Sequence, residues 1–316
     1  MITQAITSYL YMYTWQTDEA ELCQLEKRAL FGVDTASKLL QSSEKIEPSR
    51  SPFIRSRLDV LCEAEDVAEI ARFAQGLALG ESTFKVFCLN KSDIGDVQKI
   101  KQRERHQVER EVGLSIQGEP DLENPAIAFG LVWHHNRWYF GVHVEGEAVW
   151  FKHQQKPEMY STALSTRVAR AVANIAIPNP AGVRAIDPCC GIGTVLVEAL
   201  SMGMNIVGSD INPLVVMGSR TNIAHFGLQG EVKKSDIAQI TESYDVAIID
   251  MPYNLFTHIS ADEQFTIIKE VRRIAKRVVL VTIETIDDMV HTAGLEIMDR
   301  CIVRKGTFER QVLVCE

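Results

Sequence analysis

The chain has 316 residues, of which 46% are hydrophobic and 24% charged, and its 33 Lys and Arg against 42 Asp and Glu leave a net charge of −9. That is the profile of an ordinary soluble enzyme, long enough for two domains with their own cores. It contains no run of about eighteen uncharged apolar residues of the kind that spans a membrane. The opening Met1-Ile-Thr-Gln-Ala-Ile-Thr-Ser8 lacks a basic region ahead of an apolar stretch. Seven cysteines, an odd number without a disulfide-like framework, suggest free thiols in a reducing compartment. A cytoplasmic protein is expected.

In chain order, Tyr9 to Thr14 is a strand-like aromatic run. Asp18-Glu-Ala-Glu21 then opens a helix with capping-box spacing. The stretch from Gln41 to Arg57, with Ser42, Ser43, Pro48, Ser49, Ser51 and Pro52, reads as a linker. Helix is expected over Glu65 to Leu77 and Gly95 to Val112. Strands are expected over Phe84 to Leu89, Ala126 to Trp133 and Trp138 to Val144, the last two joined by a turn at His134-His135-Asn136-Arg137. That is an α+β order without repeats or low-complexity tracts. Alternating strand and helix signals begin only after Tyr160, which places a domain boundary near residues 155 to 165.

Beyond that boundary a strand, Val183 to Ile186, runs into Asp187-Pro188-Cys189-Cys190-Gly191-Ile192-Gly193-Thr194 and then the apolar helix pattern Val195 to Leu200. Glycines there let backbone approach a ligand at a helix N-terminus. The next strand, Asn205 to Asp210, closes on an acid about twenty residues beyond the loop, the position of a carboxylate that binds ribose hydroxyls. Asp236 follows a third strand. A fourth, Asp245 to Asp250, leads into Met251-Pro252-Tyr253-Asn254. Strand ends of this kind are where doubly wound sheets bind ligands. An acid followed by exposed carbonyls and an aromatic ring suits an aromatic amine. The loop does not follow the Gly-x-Gly-x-x-Gly pattern of dinucleotide enzymes. Asp210 and Asp236 also have a plainer reading as caps of the following helices, and Asp250 as a turn residue.

Taken together, the Asp187 turn, the acids at Asp210 and Asp236 and the Asp250-x-Pro252-Tyr253 motif resemble class I S-adenosylmethionine-dependent methyltransferases of the amino-methylating branch. Asn124-Pro125 with the run to Val132, Trp138 to Val142, Lys156-Pro157 and Tyr160 to Asn174 look like the THUMP domain and junction helix of tRNA guanosine N2-methyltransferases, the position-ten type. The resemblance implies an N-terminal ferredoxin-like region over residues 1–50, a THUMP-like RNA-binding domain over 51–155 and a Rossmann-like α/β methyltransferase domain with a mostly parallel sheet over 160–316. It implies S-adenosyl-L-methionine as cofactor, held by Asp187, Gly191, Gly193, Asp210, Ile211, Asp236 and Ile237. It implies tRNA as partner, with Asp250, Pro252 and Tyr253 catalytic. Asp250 and a backbone carbonyl would hold the guanine amine while Tyr253 stacks on the flipped base, a direct attack that needs no metal. Some relatives join a small zinc-bearing activator subunit, and oligomeric state is left open.

Two departures carry consequences. Met251 stands where the family motif has its first proline, and if the carbonyl alone matters, Met251→Pro should keep or raise activity. The acidic balance, 18 Lys and Arg against 24 Asp and Glu in residues 1–165, works against phosphate binding, so local clusters must serve. Candidates are Lys99, Lys101, Arg103, Arg105 and Arg110, then Arg50, Arg55 and Arg57, then Arg167 and Arg170. Each also reads as a solvated, ion-paired or packing residue. His134, His135, His143 and His153 follow no metal-ligand spacing, so no metal is expected. Cys189 and Cys190 read as packing residues, with a nucleophilic role as the alternative. The other functions kept open are amino-methylation of adenine N6 or of guanine N2 in another RNA, and a non-catalytic module that binds RNA and cofactor.

Overall fold

The computed structural model describes residues 5–89, 100–161, 163–252, 259–306 and 308–316. Two compact units emerge: residues 1–14 with 36–147, and residues 15–35 with 148–316.

The first unit is a six-stranded sheet in the order β2-β1-β3-β6-β5-β4, built from β1 (Ser8–Tyr13), β2 (Leu39–Ser42), β3 (Ile54–Ala64), β4 (Phe84–Cys88), β5 (Ile127–His134) and β6 (Arg137–Glu145). All neighbours are antiparallel except β4 and β5. Two helices, α2 (Val67–Gln75) and α3 (Gln102–Ser115), pack on it. Asp66 starts α2 by accepting the Glu69 N–H at 2.8 Å, and the apolar face of α2 buries Ile70 and Ala74 beside the stacked rings of Phe129 and Phe140. The turn between β5 and β6 puts His135 and Asn136 at positive φ, the pairing that a two-residue hairpin needs.

This sheet corrects the linker reading. Residues 41–57 contribute to β2 and β3, and the serines and prolines instead make a 3-10 turn at Pro48–Arg50 between them. Arg57 is buried, its guanidinium on the Asp59 carboxylate and the Ile46 carbonyl. The sheet also runs without a break across residue 50.

The second unit has a seven-stranded sheet in the order β12-β13-β11-β10-β7-β8-β9. Its strands are β7 (Ala185–Asp187), β8 (Ile206–Asp210), β9 (Val232–Lys234), β10 (Tyr244–Asp250), β11 (Ala275–Thr282), β12 (Ile297–Lys305) and β13 (Phe308–Cys315). β7 to β11 are mutually parallel and β13 alone runs against its neighbours. Strand order reverses between β7 and β10, the topological switch point of a doubly wound sheet. Helices α1 (Ala20–Phe31), α4 (Val149–Lys152), α5 (Thr166–Ala176), α6 (Thr194–Ser201), α7 (Pro213–His225), α8 (Ala261–Ile274) and α9 (Asp287–Thr292) accompany it. Among the described residues no helix is long and apolar enough to cross a membrane.

Residues 15–35, which the sequence groups with an N-terminal region, belong to this second unit. The Asp18–Glu21 capping box does not form: α1 starts without a side-chain cap, and Glu21 takes the Ile302 N–H and the Arg304 guanidinium, both at 3.0 Å. Arg28 forks onto Asp299 at 2.7 and 2.9 Å, and buried Glu26 accepts from Asn174. Arg167 and Arg170 serve the same packing. Arg167 forks onto Glu19 at 2.9 and 2.7 Å over the Trp150 ring. Arg170 lies 2.7 Å from Glu198, which also holds His153 at 2.8 Å, and all three are buried.

Candidate active site

A cavity of about 650 Å³ opens at the C-terminal edge of β7, β8 and β10. Asp187, Asp210 and Asp250 are the last residues of those three strands, so the parallel register gathers three carboxylates along one rim. Asp236 and Ile237, after β9, reach the same cavity.

The loop after β7 is shaped by Asp187 and Asp210. Asp187 is buried and accepts the Cys189 N–H at 3.3 Å. Asp210 Oδ2 accepts the Gly191 N–H at 3.0 Å, and Oδ1 accepts that of Asn212 at 2.9 Å. The two glycines differ. Gly191, at φ +52, would carry a Cβ into open space and lines the cavity. Gly193, at φ +76, would drive a Cβ against Ser219, and it is not among the lining residues. It allows the close approach of α6 and α7.

Asp236 Oδ1 caps the short turn that follows by accepting the Ala238 N–H at 2.9 Å. The plainer reading thus holds alongside its place in the cavity wall. Ile211 is 66% exposed at the rim. Met251 and Pro252 line the cavity, whereas Tyr253 lies outside the described residues.

Sequence reasoning missed several lining residues. Tyr160, Ala163 and Leu164 come from the segment before α5, and Glu263, Thr266 and Ile267 from α8. Buried Asn222 on α7 explains how the first group arrives: it accepts the Glu158 N–H at 2.9 Å and donates to the carbonyls of Glu158 and Ile192 at 3.0 and 2.9 Å. One amide thereby ties the segment leading to Tyr160 to the glycine loop. A polar Asn in the apolar pattern of α7 was the available signal.

Burial dominates the electrostatics. It holds the Asp187 carboxyl well above its ordinary range, and the Asp250 and Asp210 charges add to it. Burial pushes Asp250 up to about 7, opposed by Arg310. Burial, followed by the Asp187 and Asp210 charges, also lifts the Cys189 and Cys190 thiols, so neither is a ready thiolate, and the nucleophile alternative loses its chemical basis.

The lining fits S-adenosylmethionine. Among the described residues it contains Asp187, Asp210, Asp236, Asp250 and Glu263 but no Lys, Arg or His, which suits a sulfonium and an ammonium. Gly191 leaves room at the backbone, and the apolar wall includes Ile211, Ile237 and Ile267. Buried Asp250 Oδ1 has no hydrogen-bond partner among the described residues.

The basic clusters resolve unevenly. On α3, Glu109 is engaged by the Cys88 N–H and His106 and not by Arg105. Lys101, Arg103, Arg105 and Arg110 enter no ion pair among the described residues. Lys99 lies outside them.

The strand order, the glycine loop and the acidic rim are those of the class I S-adenosylmethionine-dependent methyltransferase fold. Residues 154–285 match the family described as UPF0020, RMKL-like, methyltransferase domain. The chain is 33% identical over 119 residues to the tRNA (guanine(10)-N2)-dimethyltransferase of Methanothermobacter thermautotrophicus, covering 37% of this chain and 35% of that one. It is 27% identical over 203 residues to the human U6 snRNA (guanine-N(2))-methyltransferase THUMPD2, covering 61% and 38%. TrmN from Thermus thermophilus superposes with a TM-score of 0.49 at 18% identity, covering 98% of this chain and 99% of that one. The chain thus spans little more than a third of the length of the curated relatives it matches. The chain is similar to guanosine N2-methyltransferases, as its motifs implied, and the family match falls on a methyltransferase domain.

Proposed function

We propose that the protein transfers a methyl group from S-adenosylmethionine to the exocyclic N2 of a guanosine in tRNA. The observation that carries this reading is Asp250: its Oδ1 is buried without a partner among the described residues, and it closes the strand beside Asp187 in a cavity whose described charged lining is acidic. The relatives named above act on tRNA or on U6 snRNA, and the chemistry they share is guanine N2.

The cofactor, when bound, supplies an electrophilic methyl on a sulfonium. Asp187 and the Gly191 backbone would hold its methionine end and Asp210 its ribose, with Ile211, Asp236 and Ile237 around the adenine. The N2 lone pair of guanine is delocalised into the ring, so the amine must pyramidalise to attack. Asp250 and the Met251 or Pro252 carbonyl hold its two hydrogens, and stacking on the base is the role the motif gives Tyr253. Holding the amine in line with the leaving sulfur supplies much of the acceleration. Asp250, poised near neutrality, accepts the proton released as the new bond forms.

RNA affinity is assigned to the first unit as a ferredoxin-like and THUMP-like platform, with Lys101, Arg103, Arg105 and Arg110 as the phosphate contacts. A cytoplasmic location and a small activator subunit belong to the same reading. The test is incubation of the full chain and of Asp250→Ala with labelled S-adenosylmethionine and bulk tRNA, followed by nucleoside analysis. N2-methylguanosine is expected from the parent alone. Methylated adenosine, or a fully active variant, would sink the assignment.

A further inference from the structure

A carboxylate and a carbonyl that hold an amine do not by themselves tell guanine from adenine, since both bases carry one. The difference is an oxygen: guanine has O6, which adenine lacks. A donor that faces the same space as Asp250 is therefore the missing half of the recognition.

The sheet register supplies one. Asp250 on β10 pairs with Val281 on β11, and Val281 pairs with Val312 on β13. Arg310 lies two residues before Val312 and so points to the same face of the sheet as Asp250. β13 runs against β11, and their pairing ends at Thr282 and Gln311. Arg310 therefore overhangs the carboxyl edge of the parallel strands, where ligands bind. Two strand spacings and a two-residue offset put its Cα about 12 Å from that of Asp250, a span that the two side chains narrow from both ends. The charge reaches across, because Arg310 lowers the Asp250 pKa against burial. Arg310 is partly exposed, and its guanidinium lies over the Phe308 ring, 4.6 Å from the centroid. It is not among the residues lining the cavity, and it stands on the β11 and β13 side of Asp250, away from the Asp187 and Asp210 end where the cofactor is assigned.

We propose that Arg310 reads the oxygen edge of the target base, donating its planar fork to O6, or to O6 and N7, while Asp250 takes the amine. This makes Arg310 the determinant that selects guanine, and it rests on the guanine-amine reading above. A phosphate oxygen of the target nucleotide offers the same acceptor chemistry, and the experiment separates the two.

The methylated position is first mapped on tRNA. Two otherwise identical ligated tRNAs are then made with guanosine or 2-aminopurine riboside there, the second keeping the 2-amine and lacking O6. Single-turnover rates and KM are measured for the full chain, Arg310→Ala and Arg310→Lys, with cofactor affinity and Tm as controls for folding. The parent should prefer guanosine. Arg310→Ala should lose roughly 10- to 100-fold on guanosine and little on 2-aminopurine, collapsing the preference. Arg310→Lys, charged but without the fork, should restore only part of it. The altered N1 of 2-aminopurine is common to every enzyme, so the ratio of preferences isolates Arg310. An equal loss on both substrates with a shallower salt dependence would mark a phosphate contact and overturn the proposal, as would an unchanged preference. A parent that methylates adenosine in tRNA and not guanosine would remove the guanine reading itself, and this inference with it.

Discussion

Asp210 accepts the Gly191 N–H at 3.0 Å through Oδ2 while Oδ1 takes the Asn212 N–H at 2.9 Å. One carboxylate thereby fixes the glycine loop after β7 and the first turn after β8, two of the walls around the proposed cofactor. Loss of Asp210 should be felt twice. Asp210→Ala is expected to weaken S-adenosylmethionine binding by about 1.5–3 kcal/mol, the worth of a charge-assisted hydrogen bond, and also to lower Tm. Asp210→Asn keeps an acceptor for one N–H and should fall between. Calorimetry and thermal denaturation on the three proteins check this, and unchanged affinity in Asp210→Ala would take the ribose role away.

The pH dependence follows from Asp250. Its carboxyl accepts the amine's hydrogens only when ionised, so single-turnover methylation should rise with pH through about 7. Stability should move the other way. The folded pKa lies above the ordinary value of 3.8, raised by burial, so the unfolded chain ionises first and binds fewer protons. Stability then falls as pH climbs from about 4 to about 7. Asp187, raised by burial and by its neighbours Asp250 and Asp210, adds in the same sense. Asp250→Asn should abolish turnover and gain stability relative to the parent at pH 8 but not at pH 4. Chemical denaturation at the two pH values decides it, and an equal difference at both would contradict the shift.

Gly191 and Gly193 share a left-handed backbone but not surroundings. Alanine at Gly193 meets Ser219 as well as the backbone penalty, and should cost about 1–3 kcal/mol or more. Alanine at Gly191 should cost about 1–2 kcal/mol and chiefly narrow the cavity. Urea denaturation should therefore rank Gly193→Ala as the less stable variant, and cofactor titration should rank Gly191→Ala as the weaker binder.

Much of the second unit was legible because its signals are local. Each of β7, β8 and β10 is a short apolar run closing on an acid, and parallel pairing alone brings Asp187, Asp210 and Asp250 together. What could not be read depended on distant partners. Nothing near Gly193 says that Ser219 will press on it, and nothing beside Arg57 announces the Ile46 carbonyl that, with its neighbour Asp59, makes it structural. Glu21 has capping-box spacing yet answers to Ile302 and Arg304, far along the chain. The same tertiary override carried residues 15–35 into the second unit and made a Ser- and Pro-rich stretch the turn that joins β2 to β3.

Glu198 offers a control among the acids. It is fully buried between Arg170 and His153, away from the cavity lining. Glu198→Gln removes the buried charge that faces Arg170 and should cost about 3–5 kcal/mol of stability. Cofactor affinity of the fraction that remains folded should match the parent. A stability loss below about 1 kcal/mol would show that the network is not holding α5 to α6.

Met251 is where sequence and structure give opposite expectations. If only its carbonyl mattered, restoring the family's first proline would be harmless or helpful. The structure shows two further uses. The Met251 N–H donates to the Val281 carbonyl at 2.8 Å, carrying the ladder between β10 and β11 one residue past Asp250. Its side chain is 2% exposed and packs in the core that includes Ile268 and Leu280. Proline has no N–H to donate and is too short to fill that space. Met251→Pro is therefore expected to lower stability by about 2–5 kcal/mol, the range for truncating a buried methionine, and to slow methylation by releasing the carboxylate at the end of β10. Met251→Leu keeps both the donor and most of the volume and should stay within about 1.5 kcal/mol of the parent with near-parent turnover. Thermal denaturation and single-turnover methylation of tRNA by the two variants provide the check, and a Met251→Pro enzyme as stable and active as the parent would show that neither the ladder bond nor the packing positions Asp250.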